Sequence, residues 1–206
     1  MVPYTQVIGE DSLPSSTSYW TPDRSDLALG EGFGFFRDSW TILDVPREFA
    51  QQVVETEWTL VECLSTLTNS SDQYERLAQA VDSWDPDEKN AELSADEYTA
   101  IDSILRLAED NPLDNLELGV SGLSLALSSI GAYPAASCRG HTQPLAWSKY
   151  PVVYFSATRN VALYVEAKLR KSACRFMIDN SRPTLLCIGG SSVIETIRLS
   201  RTLLEA

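Results

Sequence analysis

Near residue 131 the spacing of apolar residues changes, and with it the kind of secondary structure the backbone can hold. Upstream, apolar side chains recur every three or four residues, which lines them up on one side of an α-helix. Downstream they gather in short runs bounded by turn residues, the pattern of strands.

Four helices are expected in the upstream part. Pro46 opens PREFAQQVVETEWTLVECLSTLT, where Phe49, Val53, Trp58, Val61 and Leu64 mark one apolar face. Tyr74, Leu77, Ala78, Val81 and Trp84 repeat the pattern in SDQYERLAQAVDSW. After a polar loop at 85–92, Ser94 and Glu97 stand at capping-box spacing ahead of Tyr98, Ile101, Ile104, Leu105 and Ala108. The fourth helix, LDNLELGVSGLSLALSSI, carries Leu116, Val120, Leu123, Leu127 and Ile130 on one stripe and stops at Gly131 and Pro134. Its Gly119 and Gly122 let another backbone approach closely, and a sheet is the expected neighbour.

Strands are expected at 135–138, 151–157, 174–179 and 184–190, with helices at 158–172 and 192–206 and an NSRP turn (180–183) joining two antiparallel strands. The fold class is therefore α+β: a helical N-terminal half, then a mixed or antiparallel sheet of about four short strands with helices packed on one face. Residues 1–112 form an acidic, mainly helical region with an irregular N-terminal segment, and 113–206 a basic α+β region sharing the same core. Within the irregular segment a hairpin is expected at GEGFGFF (30–36); its Gly-x-Gly-x-Gly lacks the strand and helix that frame a phosphate loop.

Charge divides along the same line. Residues 1–120 hold 25 Asp/Glu and 6 Lys/Arg, net −19, whereas 121–206 hold 4 and 10, net +6. A basic surface attracts phosphates, anionic small molecules or nucleic acid, but the acidic half can equally neutralise it within the molecule or through a partner. The opening MVPYTQVIGEDS has neither the basic nor the apolar region of a signal peptide, and no apolar run spans a bilayer, so a cytoplasmic protein without membrane contact is expected. In that setting the four cysteines read as reduced thiols in the core.

The one histidine of the chain lies in PAASCRGHTQPLAWSKYPVVYFSA (134–157). Cys138 and His141 are the candidate catalytic pair, nucleophile and general base, with Arg139 as anion clamp and Gly140 making the turn between them. The competing reading ends a buried strand at Cys138 and points Arg139 and His141 to solvent. Cys138, His141, Cys174 and Cys187 also form a zinc-compatible set, but core thiols are preferred and no metal site is assigned, nor any cofactor. Two strand-to-helix junctions, Ser156-Ala157-Thr158-Arg159 and Gly189-Gly190-Ser191-Ser192, offer free backbone N–H groups to an anion, although Ser192 with Glu195 reads more simply as a capping box. An anion-binding pocket of Arg139, His141, Arg159, Gly190 and Ser191 is expected where these segments converge, with Trp147 and Tyr150 as its walls.

The block from the fourth helix through ASCRGH, a tryptophan and YPVVYF resembles a group of uncharacterised bacterial and phage proteins carrying a Ser-Cys-x-Gly-His turn. It is also faintly similar to the Ser-Ser-Cys-Ser-Gly-Arg motif of the wybutosine-synthesis tRNA methyltransferase family: Ser137, Cys138 and Gly140 match, while Ala136, Arg139 and His141 differ. The second resemblance implies S-adenosylmethionine-dependent tRNA modification; the first carries no activity with it.

The functional expectation is a small cytoplasmic interaction or ligand-sensing accessory protein, of the size and charge of defence or immunity components, that meets a protein partner or an anionic ligand. The alternative is an enzyme acting on RNA or a nucleotide through Cys138 and His141.

Overall fold

The computed structural model describes residues 1–23, 42–85, 93–106, 113, 116–143 and 146–205. The expected hairpin at 30–36 lies outside them. Among the described residues six helices and four strands follow in order: α1 (Arg47–Leu67), α2 (Ser71–Asp82), α3 (Ala95–Leu105), α4 (Ser121–Ser129), β1 (Tyr133–Cys138), β2 (Val152–Ser156), α5 (Arg159–Leu169), β3 (Arg175–Met177), β4 (Leu186–Gly189) and α6 (Val193–Leu203). The fold is α+β, with helices in the N-terminal half and the sheet after them.

Local chemistry sets most boundaries. Ser70 caps α2 by accepting from the Gln73 N–H, and Ser94 and Glu97 form a reciprocal capping box on α3. In α1 the buried face is Ala50, Val53, Val54, Glu57, Leu60, Val61 and Leu64. Phe49 is 40% exposed, and Trp58 lies beside that face with the Arg201 guanidinium 4.4 Å from its ring centre. A buried glutamate in the middle of the stripe hides the true 3–4 spacing from a reading by apolar residues alone.

The fourth helix begins at Ser121, later than its apolar spacing implies. Gly119 has φ +101°, outside the right-handed helical region, so Leu116 and Val120 precede the helix. Gly122 is pressed on α1: a Cβ there would lie 2.6 Å from Glu57 Oε2 and 2.8 Å from Val54 Cγ2. The close approach allowed by this glycine is thus to a helix, where a sheet was expected.

The sheet order is β1-β2-β4-β3, and every pairing is antiparallel. Alternation along the strands sends Val153, Phe155, Leu186, Ile188 and Phe176 into the core with the helices. Tyr154, Val152, Cys138 and Cys187 face the other way, into a smaller cluster covered by Trp20, Tyr150 and Met177. Burial on both faces explains why β2 and β4 read as unbroken apolar runs. The main cluster unites Leu60 and Tyr74 of the acidic half with Phe155, Ile188 and Ile197 of the basic half.

The N-terminal segment straps this layer at several points. The Met1 ammonium donates to the Thr68 carbonyl at 2.8 Å, and the Thr5 N–H to Ser191 O at 2.8 Å. Glu10 exchanges two backbone hydrogen bonds with Phe176 on the edge strand, and the Trp20 indole donates to Thr184 O at 2.6 Å. Among the described residues, no helix is long and apolar enough to cross a membrane.

Candidate functional site

Strand β1 stops at Cys138 because the chain must turn sharply at Gly140. That residue has φ +81°, and a Cβ on it would sit 2.5 Å from the Tyr150 carbonyl carbon, so only glycine fits. The turn carries Arg139 beneath α2, where it is 2% exposed. Its guanidinium donates to Asp82 and, at 3.3 Å, to Glu75, while its backbone N–H donates to Glu117 Oε2 at 2.6 Å. His141 stands between two carboxylates, with Nδ1 2.5 Å from Glu75 Oε1 and Nε2 3.3 Å from Glu117 Oε1. Its side chain is 21% exposed, so solvent reaches one side of the group.

The site is therefore an ionic joint. Glu75 and Asp82 come from α2, Glu117 from the segment before α4, and Arg139 and His141 from the β1–β2 connection. The Asp82 carboxylate also accepts from the Leu118 N–H at 2.7 Å, which ties the segment before α4 to α2. Of the two expected roles for Arg139, solvent-facing side chain and anion clamp, it has neither geometry: its charge is neutralised by carboxylates of the same chain. Arg201 repeats the theme with a two-pronged contact to Glu55 of α1. With Arg170, Arg182 and Arg198 paired to Glu166, Asp179 and Glu195, at least five basic residues of the basic half are neutralised internally.

Electrostatics follow from this packing. Burial opposes the Arg139 charge, but Asp82 and Glu75 outweigh it and hold the guanidinium protonated more firmly than in free arginine. Burial likewise resists ionisation of Glu75, and Arg139 with His141 overcomes it, leaving that carboxyl below its ordinary value. The Cys138 thiol goes the other way, pushed up to about 11 by burial and by the neighbouring Glu117. A thiol so disposed is a weak nucleophile near neutral pH.

The donor atoms of Glu117, Cys138 and His141 lie within 4.8 Å of one another. Neither Cys174 nor Cys187 belongs to this group, so the Cys/Cys/Cys/His set considered from sequence is not assembled. Cys174 donates to Glu195 O at 3.3 Å and Cys187 packs within the outer cluster; burial pushes both thiols up to about 12. Glu75, Asp82 and Glu117 escaped the sequence reading because nothing in their local pattern distinguishes them from surface acids. The charge imbalance between the halves was the only signal.

The expected convergence of three segments is corrected by the strand directions. Cys138 pairs with Val152, and Val152 with Gly189, so Arg139, Gly190 and Ser191 share one end of the sheet. Ser156 pairs with Tyr133 at the other end, and Arg159 follows it there. Because β2 and β4 are antiparallel, the helices they lead into start at opposite ends. Thr158 caps α5 with its own side chain. Ser192 makes no such bond, and Glu195 instead accepts from Arg198 at 2.8 Å, so the second expected capping box does not form.

Tyr74, Glu75, Arg139, Lys149 and Ser191 line a shallow cleft beside the joint. Tyr74 Oη, Glu75 Oε2 and Arg139 Nε are buried without a protein hydrogen-bond partner. Trp147 instead stacks on Tyr154 at 5.8 Å over the outer face, with the Arg182 guanidinium over both rings. Comparison with protein-family models, curated proteins and solved structures gives no match to this chain.

Proposed function

We propose that the protein is a small cytoplasmic ligand-sensing accessory module, and that the joint around the Cys138–His141 turn is its sensing element. One observation carries this reading: a single turn holds both the buried ion pairs that fasten α2 to the sheet and a partly exposed imidazole between two carboxylates. A ligand at that imidazole alters the contacts that hold the acidic helices in place, which is how binding reaches a partner surface. Tyr74 Oη, Glu75 Oε2 and Arg139 Nε, buried on residues of the joint and its neighbour without protein partners, support a binding role, since such atoms are costly when nothing satisfies them. Ser191 and Lys149 keep an anionic ligand in play at the cleft; Arg159, at the far end of the sheet, has no part in it.

The alternative, an enzyme acting on RNA or a nucleotide, needs Cys138 as thiolate and His141 as its base. The raised thiol and the turning of both imidazole nitrogens toward carboxylates favour binding over nucleophilic chemistry.

The test is thermal unfolding of wild type and His141→Ala against inorganic phosphate, nucleotides, short RNA and divalent cations. A ligand at about a hundred times its Kd adds about 2.7 kcal/mol, several degrees of Tm for a chain of this size. The expected result is one ligand class that stabilises wild type and leaves His141→Ala unmoved. No response from any class, together with rapid Cys138 alkylation near pH 7 that His141→Ala slows, would transfer the assignment to the enzyme.

A further inference from the structure

We propose that Glu117 Oε1, Cys138 Sγ and His141 Nε2 form a three-ligand site for a zinc ion, with the fourth position open to solvent. The inference rests on reading this turn as a binding site and names its ligand. Thiolate, imidazole and carboxylate together are a borderline donor set that suits zinc and disfavours magnesium and calcium, which want oxygen alone.

Distances agree with that assignment. Two ligands each about 2.0–2.1 Å from a tetrahedral ion lie about 3.3 Å apart, and His141 Nε2 is 3.3 Å from Glu117 Oε1. The sulfur lies within 4.8 Å of both, so metal entry draws it inward by about 1 Å at most.

Each ligand is also held from behind. Glu75 Oε1 lies 2.5 Å from Nδ1 of His141, and in the tautomer that donates from Nδ1 to it, Nε2 carries the free electron pair a metal needs. The backbone N–H of Arg139 grips the other oxygen of Glu117 at 2.6 Å. The Gly140 N–H points at the Cys138 sulfur, 3.3 Å away. Such outer partners fix ring orientation and tautomer in metal sites, and here three separate contacts serve three separate ligands. On binding, the Cys138 proton passes to solvent and the sulfur enters as thiolate.

Cobalt(II) and zinc(II) titration of the metal-stripped full chain tests the proposal. Wild type is expected to take up one Co²⁺ with a sulfur-to-cobalt charge-transfer band and tetrahedral visible bands, both displaced by Zn²⁺. Cys138→Ser and His141→Ala should lose the band, Cys174→Ser and Cys187→Ser should keep it, and Glu75→Gln should weaken affinity about 10- to 100-fold. If the first two variants do not fold, cysteine alkylation mapped in wild type decides: zinc should protect Cys138 and leave labelling of Cys63 unchanged. A folded wild type without the band, or a band indifferent to His141→Ala, overturns the zinc site and leaves His141 a structural contact only. His141-dependent stabilisation by phosphate or a nucleotide without Co²⁺ uptake would sink zinc while sparing the sensing role; stabilisation by no ligand at all would sink both.

Discussion

The Arg139 guanidinium and the Asp82 carboxylate meet across the joint between β1 and α2, and the arginine that makes this contact is 2% exposed. A buried pair of this kind is weak evidence of net stabilisation, yet removing one member strands the other's charge. Arg139→Met should therefore destabilise the protein by about 3–5 kcal/mol in urea unfolding. Adding Glu75→Gln and Asp82→Asn to that variant should recover part of the loss, because no uncompensated charge then remains.

Glu57 gives the protein a pH dependence of unusual sign. It is fully buried and accepts from the backbone N–H groups of Gly119 at 2.7 Å, Ser121 at 3.1 Å and Gly122 at 3.1 Å, which start α4. Burial outweighs those bonds and pushes its carboxyl up to about 7. The folded state then holds the proton more tightly than the unfolded chain, where the group titrates at about 4.3. Its contribution to stability is complete below that unfolded value and falls as pH rises toward 7, by about 4 kcal/mol in total. Glu57→Gln should flatten this slope between pH 4.5 and 7 in denaturant titrations, whatever constant offset the amide adds.

Two glycines should separate contact from conformation. Gly122→Ala drives a methyl into Val54 and Glu57 and is expected to cost about 1–3 kcal/mol. Gly131→Ala has φ +86° but meets only Val161 Cγ2, at 3.9 Å, so it should cost about 1 kcal/mol from backbone conformation alone. Thermal unfolding of the two variants side by side checks the ordering.

Thiol chemistry should single out Cys63. It is partly exposed on α1, whereas Cys138, Cys174 and Cys187 are buried, with thiols pushed up to about 11, 12 and 12. Iodoacetamide at neutral pH should label Cys63 first and the other three far more slowly, since the thiolate is the reacting form. Equal labelling of all four in the folded protein would contradict this packing.

The order of elements was legible in the sequence because helix and strand impose different apolar periods, and each period is a local property. Ser94 and Glu97 announced the start of α3 for the same reason: a capping box is closed within four residues. The change to short apolar runs after Gly131 likewise foretold β1 to β4, and the NSRP turn foretold the antiparallel pairing of β3 with β4. What stayed hidden depends on contacts between segments far apart in the chain. Glu57 sits 62 residues from Gly119, and only the packing of α1 on α4 makes it a cap rather than a break in an apolar stripe. Arg139 and His141 were visible as residue types, but their partners lie 57 and 66 residues away, at Asp82 and Glu75. The sequence by itself determined the periods, the turns and the opposed charges of the two halves. Tertiary structure alone decided that those charges meet inside the molecule, and that strand direction parts Arg159 from Gly190, because both depend on which distant segments the folded core brings together.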